Sequence, residues 1–218
     1  MPSLHFLKRF RRAAVDALVP RSLFALRGQR TARRVALTFD DGPHELTRAY
    51  LDVLDQFGAR ATFFVVGIGC DERPGDLAEI VRRGHEVGGH GYSHRSFPDL
   101  GRRALLQELQ RTASLLPPPR RRPLVRPPRG MITPASLLSC AAAGYTTVLW
   151  SVDPQDFKMA SPDELTARLA PENLANGDIV LLHEGRPLTL EALPRILTQL
   201  RHAGVAAVTV GELLGGHR

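Results

Sequence analysis

An α/β barrel of about seven parallel strands in a single domain is the fold this sequence predicts, and three observations carry it. Apolar runs of strand length alternate with amphipathic segments of helix length, glycines fall just past the expected helices, and the chemically suggestive residues stand at the C-terminal ends of different strand-like runs. Periodicity alone fits an open doubly wound sheet as well. Reactive groups gathered at strand C-termini favour the barrel, and no Gly-x-Gly-x-x-Gly follows the first strand to argue for a dinucleotide fold. At 218 residues, 43% hydrophobic and 23% charged, the chain is sized for one well-buried core.

The chain opens with a basic segment, residues 1–32. Leu4, Leu7, Val15 and Leu18 sit near helical spacing, with Lys8, Arg9, Arg11 and Arg12 supplying positive charge. An amphipathic helix within residues 1–30 would suit peripheral contact with a membrane surface; the alternatives are a helix packed on the barrel wall and an unstructured leader. The main folded domain is expected over 33–214, leaving 215–218 as a tail. Its strands are expected at 34–39, 60–66, 85–89, 123–126, 145–152, 178–182 and 205–210. Helices are expected at 45–57, 75–83, 101–116, 133–143, 161–170 and 189–203. Gly58, Gly84, Gly144 and Gly204 fall where a left-handed helix cap is wanted. Pro117 to Pro119, followed by Arg120 to Arg122, cannot be helical and reads as a surface connection.

Composition narrows the function. The net charge of +7 invites a polyanionic partner, yet no aromatic residues interleave with the arginines at 33–34 or 120–122, and no nucleic-acid-binding motif accompanies them. Nucleic acid is not an expected partner. Cys70 and Cys140 lack metal-knuckle or redox spacing and read as small buried residues. No run of about 18 apolar residues is present to span a membrane, and no export signal is visible. The expected location is therefore the cytoplasm, peripheral at the inner membrane face if the first segment docks there. Composition is silent on oligomeric state.

Chemistry begins at Thr38-Phe39-Asp40-Asp41-Gly42, where two carboxylates end an apolar strand. Strand alternation predicts that they point different ways, one toward a metal and its neighbour toward the water that the metal activates. His90 and His94 stand four apart, a spacing that lets two imidazoles meet one cation; a chance pair remains open until Asp41 completes a two-imidazole, one-carboxylate set. Arg126-Pro127-Pro128-Arg129-Gly130 is more than a rigid turn, because a guanidinium at a strand end can hold a carboxylate such as Asp40 ionised. His183 ends another strand, and an aspartate beside it, from the run Asp153 to Asp156, would favour its charged form.

Five ordered motifs, Thr-Phe-Asp-Asp-Gly (38–42), His-x-x-x-His (90–94), Arg-Pro-Pro-x-Gly (126–130), Asp-x-x-Asp (153–156) and Leu-x-His (181–183), resemble the polysaccharide deacetylases of carbohydrate esterase family 4. The resemblance spans roughly residues 33–214. It implies a distorted (β/α) barrel, often of seven strands, that removes N-acetyl groups from glucosamine-containing oligo- or polysaccharides. The implied cofactor is a divalent metal, zinc first, with cobalt, manganese or nickel as alternatives. By the same resemblance Asp40 is the general base, Asp41, His90 and His94 are metal ligands, and His183 is the general acid. Arg126 would orient Asp40, Asp156 would tune His183, and the backbone N–H of Arg129 would help stabilise the oxyanion. Two other readings stand beside it: a deformylase or deacetylase of a lipid-linked amino sugar, and a glycan-binding pseudoenzyme.

Three positions depart from the family pattern. Gly91 replaces Ser or Thr, Arg129 replaces Tyr, and Phe157 replaces Trp. Gly91→Ser is expected to tighten metal binding through a restored hydrogen bond, unless glycine is there to permit a positive φ.

Overall fold

The computed structural model describes residues 19–119 and 121–215. The elements run β1 (Phe24–Ala25), β2 (Arg34–Gly42), α1 (Thr47–Gln56), β3 (Thr62–Val65), α2 (Gly67–Glu72), α3 (Pro74–Arg82), β4 (Glu86–Gly89) and α4 (Arg102–Ala113). After these come β5 (Leu124–Val125), α5 (Pro134–Ala142), β6 (Thr146–Val148), α6 (Pro162–Arg168), β7 (Ile179–His183), α7 (Pro187–His202), β8 (Ala206–Ala207) and α8 (Val210–Leu213). Seven strands form one curled parallel sheet in the order β1-β6-β5-β4-β3-β2-β7, and β8 lies beside the start of β2. Beyond β6 the chain reaches β7 through a parallel bridge between Val152 and Val180. The result is the expected distorted (β/α) barrel.

β2 is the spine. Every residue from Val35 to Asp40 is buried, as a parallel strand covered on both faces requires. Its side chains alternate between two cores. Leu37 and Phe39 join Tyr50, Leu51 and Leu54 of α1 and Leu193, Ile196 and Leu197 of α7 in the layer between sheet and helices. Ala36 instead joins Phe64, Leu124, Val148 and Ile179 in a second cluster inside the curl, closed below by Val210 and Leu213 of α8. Thr38 and Asp40 share the parity of Ala36, so the interior column grows more polar toward the C-terminal end of the strand. Gly88 leaves room for the Phe64 ring: a Cβ there would come within 2.7 Å of it.

Several helices start and stop where the sequence signals them. Thr133 and Ser136 form a capping box at α5, and Thr209 and Glu212 form one at α8. Gly58, Gly84, Gly144 and Gly204 all take positive φ just past helices, as expected. The Pro117–Pro119 run is non-helical.

Three details differ from the sequence reading. The sheet begins before residue 33, because Phe24 and Ala25 pair with Thr147 and Val148. Gly67–Glu72 forms a short helix inside what had no predicted element. The expected strand 205–210 stops at Ala207, and the Thr209 cap turns the chain into α8. The expectation of a basic amphipathic helix falls largely on residues 1–18, which lie outside the described residues. No helix among the described residues is long and apolar enough to cross a membrane.

Candidate active site

The end of β2 determines the site. Its register with β3 shifts between Asp40 and Gly42, and Asp41 takes a φ of 72°. This bulge overturns the expectation that the two carboxylates must diverge. His90 Nε2 lies 3.7 Å from Asp40 Oδ2 and 3.6 Å from Asp41 Oδ1, so both reach the same imidazole.

Arg126, at the end of β5, is completely buried. Its Nη1 donates to Asp40 Oδ1 and to Thr38 Oγ1, each at 2.7 Å, while Nη2 and Nε donate to the carbonyls of Leu149 and Val148. The guanidinium Cζ also lies 4.0 Å from the Phe64 ring centroid. A buried cation satisfied on so many sides fixes Asp40 in one orientation; removing one partner of such a pair costs about 3–5 kcal/mol.

His90 Nδ1 donates to the carbonyl of Arg126 at 2.7 Å, which leaves the Nε2 lone pair facing the carboxylates. Burial pushes the His90 pKa below its ordinary value against the pull of Asp40 and Asp41, keeping the ring neutral. His94 Nε2 lies 3.1 Å from Asp41 Oδ1. For Asp41, burial works to raise the pKa, but the His94 hydrogen bond and the imidazoles of His90, His94 and His183 outweigh it and hold the carboxyl at about 2. One donor atom each from Asp41, His90 and His94 lie within 4.8 Å of one another. Two imidazoles and one ionised carboxylate at this separation fit a divalent cation, and the second nitrogen of His90 has the outer hydrogen bond that metal-binding histidines use.

His183 faces this group from β7, its Cα in register with that of Asp40. Asp156 accepts from His183 Nδ1 at 2.7 Å through Oδ1; its Oδ2 accepts from the His183 amide at 2.8 Å and from Thr189 Oγ1 at 3.0 Å. Burial works to lower the His183 pKa, but the Asp156 hydrogen bond and the charges of Asp156, Asp40 and Asp41 raise it overall. Phe157 packs edge-on against the ring, with centroids 5.4 Å apart. Arg129 sits in the Pro128–Gly130 turn with a φ of 57°, its exposed side chain donating to Ser96 Oγ. All eight residues singled out in the sequence thus lie at strand C-termini or the turns that follow them.

Sequence reasoning passed over four supporting groups. Thr38 shares Arg126, Thr189 shares Asp156, Glu108 holds the loop between the two histidines, and Glu184 is buried behind the end of β2. Glu184 bonds to Thr47 Oγ1 and the His44 amide, and burial pushes its carboxyl up to about 7. Among the described residues its Oε2 has no hydrogen-bond partner, and it lies where a Cβ on Gly42 would be. Its position directly after His183 was the available signal. Glu108 gave none, since a glutamate on a polar helix face looks like any other.

Residues 27–148 match the polysaccharide deacetylase family model. The chain is 36% identical over 187 residues to a peptidoglycan-N-acetylglucosamine deacetylase of Bacillus cereus, a match covering 83% of this chain and 87% of that protein. Its fold matches the crystal structure of the Bc1960 peptidoglycan N-acetylglucosamine deacetylase in complex with 4-naphthalen-1-yl-N-oxidanyl-benzamide with a TM-score of 0.84, 30% identity, and 90% and 94% of the two chains covered. It also matches BA3943, a CE4 family pseudoenzyme from Bacillus anthracis, with a TM-score of 0.80, 28% identity, and 88% and 68% of the chains covered. Fold alone therefore does not separate an active member from an inactive one.

Proposed function

Because this chain belongs to the polysaccharide deacetylase family, we propose that it is a metal-dependent hydrolase removing N-acetyl groups from glucosamine-containing glycans. The observation carrying this reading is the pairing register of β2 and β7, which sets Asp40 and His183 side by side next to the Asp41, His90 and His94 group.

Asp41, His90 and His94 would hold the cation, with zinc favoured by the donor set. Bound there, it would supply a Lewis acid and bring the pKa of water from near 16 toward about 7. Asp40, ionised beside Arg126, accepts the proton of the attacking water. The amide N–H of Arg129, which sits in a left-handed turn, donates to the oxygen that gains charge as the acetamide carbonyl is attacked. His183, charged through Asp156, then protonates the departing amine. Activity therefore needs Asp40 ionised and His183 protonated, which makes its pH profile bell-shaped.

The pseudoenzyme neighbour gives the binding-only alternative substance. Against it stands the retention here of base, cation ligands and acid together, since binding a glycan requires none of their proton chemistry. The deciding experiment measures acetate and formate release from chitooligosaccharides, peptidoglycan fragments and lipid-linked amino sugars, after chelation and after zinc is restored. Zinc-dependent acetate release is expected, with Asp41→Ala, His90→Ala and His94→Ala each losing both bound zinc and turnover. No release from any substrate by the zinc-loaded protein, or stoichiometric zinc in all three folded variants, overturns the reading. Formate release from lipid-linked sugars alone favours the deformylase alternative.

A further inference from the structure

The loop carrying two of the three candidate ligands is irregular. Gly91 has a φ of 79° and His94 one of 56°, so the backbone between them reverses its hand twice and directs consecutive amides to one side. A single carboxylate fills that concavity. Glu108, on α4, accepts from the amides of Tyr92 and Ser93 through Oε2, each at 2.8 Å, and from Ser93 Oγ through Oε1 at 2.7 Å. All three bonds come from the loop, and hydrogen bonds to an ionised acceptor are about twice as strong as neutral ones.

Glu108 is itself held firmly. Leu105 and Leu109 on the same helix are buried against Phe97, Val125 and Cys140. One turn further along α4, Arg111 lies 3.5 Å over the Tyr92 ring, and the Tyr92 hydroxyl donates to Asp71 at 2.7 Å. A Cβ on Gly91 would stand 3.6 Å from Glu108 Oε2, so the carboxylate occupies the side of the loop toward which a hydroxyl-bearing residue at 91 would point.

We infer that Glu108 is a positioning residue for the cation site: it touches neither cation nor substrate, but fixes the loop so that His90 and His94 are set for ligation before a cation arrives. The inference rests on the cation site proposed above. Preset ligands bind more tightly because loop ordering is not charged against binding. Loss of such outer support costs 10–100-fold in metal affinity elsewhere.

The test is zinc affinity of the full chain, measured by competition with a chelator of known affinity at about 50 and 500 mM salt, alongside thermal unfolding of the metal-free protein. Glu108→Ala is expected to weaken zinc binding about 10–100-fold at both salt concentrations. Glu108→Gln, which keeps one acceptor oxygen and the side-chain length, should fall between the variant and wild type and serves if Glu108→Ala does not fold. At saturating zinc both variants should recover most of their turnover. Zinc affinity unchanged in the folded variants overturns the inference, as does a loss that vanishes at high salt, which would mark simple attraction by a distant charge. Failure of the wild type to bind zinc at all would instead overturn the cation site itself.

Discussion

At the mouth of the barrel, buried Asp40 lies against Arg126 and buried Asp156 against His183, a carboxylate with a cationic partner in each case. At the base, where the strands begin, half-buried Glu86 and buried His85 make their hydrogen bonds to neutral groups. Glu86 accepts from Thr62 Oγ1 and the Gly211 amide, and His85 Nδ1 accepts from the Ala61 amide while Nε2 stands 4.0 Å from Asp55. Burial accordingly raises the Glu86 pKa and lowers that of His85 to about 4, so both are driven toward their uncharged forms. The difference between these pairs lies in their partners: at the mouth Asp40 and His183 each face an oppositely charged group, whereas Glu86 and His85 hydrogen-bond to neutral ones and burial prevails. Chemistry and stability should therefore respond to pH through different residues.

The strongest attempt to break that division is Asp40→Asn. The amide oxygen can still accept from Arg126, but the side chain can no longer take a proton from water. Turnover should fall about 10²–10⁴-fold with zinc retained; near wild-type turnover in a zinc-loaded variant would show that the mouth does not use this charge.

At the base, the sign follows from proton uptake. His85 titrates near 6.5 when unfolded and at about 4 when folded, so the unfolded chain binds more protons between those values. Its contribution is complete above about 6.5 and is lost as pH falls through about 4, amounting to up to about 3 kcal/mol. His85→Asn, which can keep an oxygen for the Ala61 amide, should flatten the acid limb of a urea-denaturation stability profile and leave turnover per folded molecule unchanged. An unaltered acid limb would remove His85 from the account.

Asp156→Asn sharpens the comparison from the other side. Without the carboxylate that raises it, the His183 pKa falls, and because the protonated ring is the working form, the alkaline limb of the activity profile moves to lower pH. Turnover at alkaline pH should drop about tenfold for each pH unit moved. A limb that stays in place would assign it to another group.

The smallest effect is expected at Gly91. Its φ of 79° reverses the sequence-based expectation for Gly91→Ser: the hydroxyl would bring strain rather than support. Placing a side chain in that conformation costs about 1 kcal/mol; to the extent that the metal-free loop relaxes to relieve it, zinc affinity falls by up to about fivefold in chelator competition, and the remainder is lost as stability. Tighter binding would restore the hydrogen-bond account.

Much of this molecule was legible because its signals are local. Alternating strand and helix patterns, and glycines with left-handed φ at 58, 84, 144 and 204, delimit the units that make the barrel. The site residues were legible because motifs at strand ends converge in such a fold. What escaped was set by backbone hand and long-range packing. The Asp41 bulge follows no propensity, β1 is two residues long, and the interior direction of Arg126 depends on carbonyls some twenty residues later in the chain. The Thr209-x-x-Glu212 capping box was readable, yet an apolar run beside it read as strand.

Glu184 and Gly42 show what such packing means for sequence change. Because one carboxylate oxygen occupies the space any side chain at 42 would need, the two positions are genetically coupled. Enlarging residue 42 alone drives Glu184 from its seat beside Thr47 and disturbs the strand end next to Asp41, whereas shortening residue 184 first opens the room that makes the larger residue tolerable. The order in which mutations arrive therefore decides which of them survive here, and a library that varies one position at a time would miss the viable pairs.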